Sequence, residues 1–166
     1  GHARLDELRG ARAAINSADS HSGCNALTHT VAPLAVAGRF FSGHIVTGAH
    51  VESLAAVRDG RADLCACDCV TFGLIAAHAP ASLAGLAVLG ESAAAPAPPF
   101  ITRGAASDSE LALWREALAR SMADPASEGP RAFLGLAGIE VLEPAAYDRI
   151  GEMITDPAVL GPLEEN

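Results

Sequence analysis

The chain contains no lysine: its 11 basic residues are all arginine, against 20 acidic ones, for a net charge of −9. With no basic stripe to meet phosphates, nucleic acid and anionic membrane surfaces are excluded as partners. Aromatic residues make up only 4%, so a core must rest on small aliphatic side chains and close backbone packing. No apolar run is long enough to span a bilayer. Missing as well are a Gly-x-Ser-x-Gly elbow, a Gly-Lys phosphate loop and a His-Glu-x-x-His pair. Without these no nucleophile–base pair or catalytic metal set can be assembled from motifs. The chain is therefore expected to be no enzyme, with no catalytic residue, no cofactor and no resident metal.

What remains is a chain of 166 residues, half of them hydrophobic, enough for one domain or two small lobes. Short apolar runs alternate with helical ones. Arg12–Ile15, Phe40–Thr47 and Leu64–Val70 read as strands, and Leu86–Leu89 as a fourth. Helices are expected from Gly23, over His50–Val57 with Val51 and Leu54 inward, and over Phe72–Ala77. This alternation predicts an α/β lobe with a mostly parallel sheet and right-handed crossovers. Ligands of such sheets sit beyond the C-terminal strand ends, here residues 16–23, 47–50 and 68–71. A Pro/Ala-rich linker over 93–99 leads to Phe100–Arg103, a short strand or crossing segment. Ser107 or Asp108 then caps a helix over Ser109–Met122, with Leu111, Trp114, Leu118 and Met122 on one face. Arg131–Leu136 forms another helix, and Ile139–Leu142 packs on the sheet. The expected division is 1–98 as ligand-binding lobe, 99–155 as crossover and C-terminal helices, and 156–166 as a frayed tail.

The densest chemistry lies in Asn16-Ser17-Ala18-Asp19-Ser20-His21-Ser22-Gly23, where a strand gives way to a helix. Unpaired amides, hydroxyls and the helix dipole meet there, a setting that suits an oxyanion. Simple N-capping by Asp19 or Ser20 explains the same residues. His21 and His50 can act as donors to an anion, or join Asp68 around a metal. Four cysteines are present. Cys65, Cys67 and Cys69 share one face if their segment is a strand, as core packing or as soft-metal ligands. A disulfide to Cys24 is left open.

Together, Leu8-Arg9-Gly10, Ala13–Asn16, Asp19–Gly23, Val46–His50, Gly60–Asp63 leading to Asp68, and Pro99–Thr102 resemble a known pattern. It is that of the phosphate, phosphite and phosphonate substrate-binding proteins of ABC transporters, over roughly Leu5–Ile150. The resemblance implies a type II periplasmic-binding-protein fold: one three-layer α/β/α lobe, plus C-terminal helices of the other lobe. Such proteins normally begin with a further strand–helix–strand segment of the first lobe, and this chain is expected to start at the second. The pattern carries over to Ser20, His21, Ser22 and Gly23 as the anion grip, with Thr47, His50 and Asp68 on the same cleft. It implies non-catalytic binding of a small phosphorus oxyanion, an ABC permease as partner, and a periplasmic location. The alternatives are a sensory or cytoplasmic module of the same fold and, third, a recruited enzyme. The apolar helix face over 109–122 can dock on its own sheet or pair in a homodimer.

Overall fold

Arg12–Ile15 forms strand β1, and it is paired on both edges. β2 (Gly43–Val46) runs parallel on one side and β3 (Leu64–Cys65) parallel on the other, giving the order β2-β1-β3. The two-residue alternation of a strand then sends successive side chains to opposite faces. Ala13 and Ile15 join Leu8, Cys24, Leu27, Val31, Phe40 and Phe41 on one face. Ala14 joins Ile45, Ala56 and Ala62 on the other. The first face is covered by the helical run after β1, a π-helical turn (His21–Asn25) continuing into α1 (Ala26–Val31). The second is covered by α2 (His50–Arg58). A parallel strand buried on both faces needs a helix on each, so the mixed α/β architecture expected from the alternation is the one observed.

The computed structural model describes residues 4–164. They divide into one unit of residues 4–95 with 148–164, and another of residues 96–147. In the first unit β3 stops at Cys65, short of the expected Val70, because Asp68 caps α3 (Cys69–His78). Residues 86–89 form no strand; an edge strand only two residues long offers little for a fourth to pair with. On α2 the buried side chains are Ser53, Leu54 and Ala56, while Val51 is 49% exposed. Ser53 is drawn inward by its hydroxyl, 2.6 Å from that of Thr47.

The C-terminal segment is ordered against the first core. α6 (Asp148–Glu152) is followed by a 3-10 turn, Pro157–Leu160, with Val159 and Leu160 buried. The amides of Phe40 and Phe41 donate to the Val159 carbonyl, at 3.0 and 3.1 Å. Residues 162–164 then pair with His44 on the free edge of β2. Gly161 makes the bend between them. Its φ is +69°, and a Cβ there would lie 2.8 Å from the carbonyl oxygens of Phe41 and Ser42.

The second unit is helical. Ser107 and Glu110 form a reciprocal capping box at the start of α4 (Asp108–Ala123), as the serine before that run predicts. α5 (Glu128–Leu134) ends on Gly135 in the left-handed region, two residues short of the expected Leu136. Trp114 is 59% exposed rather than a core residue. Phe100, Ile101, Ile139 and Val141 are also exposed, and neither of their segments forms a strand.

If the C-terminal turn holds the first core together, Leu160→Ala should destabilise the protein by about 2–4 kcal/mol, the cost of emptying a buried leucine site. A urea melt checks this; a loss below about 0.5 kcal/mol is what a frayed tail would give.

Candidate functional site

The three strands end at one rim, and each contributes a loop to it. After β1, Ser20 caps the π-helical turn: its Oγ accepts from the Gly23 amide at 3.1 Å. The Cys24 and Asn25 amides both donate to the Ser20 carbonyl. The first two amides of the turn, those of His21 and Ser22, have no backbone acceptor among the described residues. The expected orphan donors thus exist, one and two residues earlier than Gly23, whose own amide serves the cap. The Ser20 hydroxyl still has its proton to donate.

After β2, Thr47 and His50 take different parts. The Thr47 hydroxyl lies 3.1 Å from the Ile15 carbonyl, 3.2 Å from that of Ala49 and 2.6 Å from Ser53 Oγ. It ties the β1 and β2 ends to α2. His50 begins α2 and reaches across the rim: Nε2 is 3.0 Å from Ser22 Oγ and 3.4 Å from Asp68 Oδ2. Its Nδ1 donates to the Ala66 carbonyl at 3.3 Å, which assigns a proton to that nitrogen.

After β3, Asp68 has two roles. Its Oδ1 accepts from the Thr71 amide at 2.8 Å, capping α3, and its Oδ2 faces His50. Burial pushes the Asp68 carboxyl up, but Thr71, through hydroxyl and amide, the His50 ring and the Val70 amide outweigh it and hold the pKa below the usual carboxylate range. The His50 and Asp68 side chains are 14% and 29% exposed, so the pair is shielded yet reachable.

Ser22, His50 and Asp68 are therefore brought into direct contact, with Ser20 and Gly23 in the same turn. His21 stands apart. Its Nδ1 is buried without a partner among the described residues, and the ligand atoms that cluster are those of His50, Cys67 and Asp68. The alternative metal trio of His21, His50 and Asp68 is not the group whose ligand atoms cluster. Asn16 is a further site residue that sequence reasoning passed over. Its Oδ1 is buried without a partner, and the missing side chain at Gly23 is what makes room for it. A Cβ at Gly23 would collide with the Asn16 amide and approach His50 Cε1 to 3.0 Å.

The thiols do not act as a set. All four are free; Cys24 is buried and Cys69 is exposed at the start of α3. Burial raises Cys65 to about 11, and burial, Asp68 and the neighbouring thiols raise Cys67 to about 12 despite the Phe72 amide. At neutral pH both are protonated thiols.

A family model described as ABC transporter, phosphonate, periplasmic substrate-binding protein matches residues 1–149. The chain belongs to this family. No curated protein matches the chain closely enough to add a relative to compare. As a member of a phosphonate-transport family, the protein carries its clustered polar residues at the strand ends where α/β sheets bind ligands, with the two helical faces serving as scaffold.

The close fit at residue 23 leads to a prediction. Gly23→Ala should displace Asn16 and the His50 ring at a cost of about 1–3 kcal/mol, the range for inserting a methyl group into a packed site. Thermal melts read the cost, and the His50 ring resonances in NMR should shift. Unmoved resonances and an unchanged melt would show that the contact is slack.

Proposed function

We propose that this protein binds a small phosphorus oxyanion — phosphonate, phosphite or phosphate — without catalysis, and delivers it to an ABC permease in the periplasm. The observation that carries the reading is the convergence of three loops on one point. Ser22, His50 and Asp68, from the ends of three parallel strands, lie within 3.4 Å of their neighbours at the start of a helical run. The order β2-β1-β3 supports it, because the crevice of such a sheet opens between adjacent strands whose onward connections leave on opposite faces. Here those strands are β1, continued through α1 on the first face, and β2, continued through α2 on the second, so the Ser20–Gly23 turn and His50 flank the crevice.

In this reading the His21 and Ser22 amides and the Ser20 and Ser22 hydroxyls donate to the oxyanion, aided by the positive end of the helical run. His50 adds a ring nitrogen, positioned by Ala66. Asp68 Oδ2 faces the same Nε2 at 3.4 Å, while Ala66 holds the far nitrogen. Thr47 holds the rim together and touches the ligand through its loop rather than its hydroxyl. The net charge of −9 does not oppose this, since distant charges are screened beyond about 8 Å at physiological salt. Ser22 Oγ does lie 3.0 Å from His50 Nε2, but Asp68 faces that same nitrogen and Ala66 takes Nδ1, which is not the order of a Ser-His-Asp relay, and this supports reading the trio as a binding set.

Replacing Ser20 and Ser22 together by Ala should cost about 2–4 kcal/mol of binding, two hydrogen bonds to a charged acceptor. That corresponds to roughly a 30- to 1,000-fold weaker Kd. Calorimetric titration of phosphate, phosphite and methylphosphonate into the wild type and the double variant measures it. Equal affinities for all three ligands in both proteins would refute the assignment.

A further inference from the structure

We propose that His50 Nε2, Cys67 Sγ and Asp68 Oδ2 form a three-ligand site for a divalent transition cation of zinc type, with a fourth position open beside Ser22. The three ligand atoms come from two loops of the rim and all lie within 4.8 Å of one another. A tetrahedral zinc ion with bonds of about 2.0–2.3 Å holds its ligand atoms about 3.3–3.7 Å apart. The 3.4 Å between His50 and Asp68 already satisfies this, and only the Cys67 sulfur has to close in. Cys67 sits in the link between β3 and α3, outside both elements.

The outer contacts are those that metal ligands use. Ala66 takes the Nδ1 proton of His50, which leaves Nε2 able to offer a lone pair, the usual way a backbone carbonyl fixes a ligating tautomer. The Thr71 amide holds the other oxygen of Asp68 at 2.8 Å, and the Phe72 amide donates to the Asp68 carbonyl at 3.0 Å. With Nδ1 protonated, Nε2 offers its lone pair beside the Ser22 hydroxyl at 3.0 Å and faces the Asp68 carboxylate at 3.4 Å, a pair of acceptors that a positive particle would bridge. A second proton on His50 can supply it, and so can a cation. The donor set of imidazole, thiolate and carboxylate favours zinc or a similar borderline ion over magnesium or calcium, which take oxygen ligands. Binding would convert the Cys67 thiol to a thiolate and release its proton to solvent. With one thiolate and one carboxylate ligand the bound ion leaves the site neutral overall, so it would cancel the Asp68 charge at the rim of a chain without lysine.

The test is titration of cobalt(II), then zinc(II), into the full chain in a reducing, phosphate-free buffer. One equivalent of cobalt should produce a thiolate-to-metal charge-transfer band and the intense visible bands of a tetrahedral ion, both abolished by zinc. Cys67→Ser should remove the charge-transfer band and weaken zinc binding by more than the roughly 10- to 100-fold cost of an outer-contact change. Cys69→Ser should leave both unchanged. Asp68→Asn, which can still cap α3, should weaken zinc binding while keeping the charge-transfer band, and it serves if Cys67→Ser does not fold. No stoichiometric cobalt binding, a spectrum lacking the thiolate band, or a band that survives Cys67→Ser would overturn the proposal. Because no oxyanion is present, this result is independent of the Ser20 and Ser22 assignment.

Discussion

β1 has to be hydrogen-bonded on both edges and dry on both faces at once, and the rim exists because three of its four residues manage this. Ala13, Ala14 and Ile15 are fully buried, and they are small enough for α1 and α2 to pack close on either side. With larger side chains at 13 and 14, the two helices would stand further from the sheet, and the Ser20 turn and His50 with them. The low aromatic content follows from the same demand: the bulky residues of the first core, Phe40 and Phe41, sit beside the sheet and pack edge to face 4.8 Å apart. Parallel pairing then sets direction. All three strands run the same way, so all three polar loops emerge at the same end.

The rim is held by polar contacts that also leave some donors available. Thr47 joins three backbone segments, Ser20 closes the turn, and Asp68 both starts α3 and faces His50. Preorganisation of this kind lets a receptor bind an anion with fixed dipoles, without formal positive charge on every contact. It also explains why a strongly acidic protein can carry an anion site: the local field is set within a few ångströms and the global charge is screened.

The sequence revealed what depends on local chemistry. Strand and helix alternation, the Ser20 cap and the Ser107 cap are short-range patterns, and each is found at or near its expected place, whereas the Asp68 cap cuts short a strand expected to run to Val70. What it concealed comes from contacts distant along the chain. Cys67 meets His50 only because β3 and β2 flank the same strand. Asn16 turns inward because residue 23, seven positions on, has no side chain. The C-terminal residues, polar and proline-rich, read as a loose tail, yet Val159 and Leu160 fill the first core and residues 162–164 line the open edge of β2. The fourth strand rests on an apolar run and the apolar face with Trp114 on helical spacing, and neither pattern says whether a partner surface is there.

The central claim is that the strand-end rim of the first unit is where the phosphorus oxyanion binds, and backbone NMR titration tests it most directly. On addition of methylphosphonate, the account predicts that the largest amide shifts fall at His21, Ser22 and Gly23, with smaller ones at His50 and Asp68, and none over residues 108–134. Saturable shifts confined to other residues, with the Ser20–Gly23 amides unmoved, would contradict it.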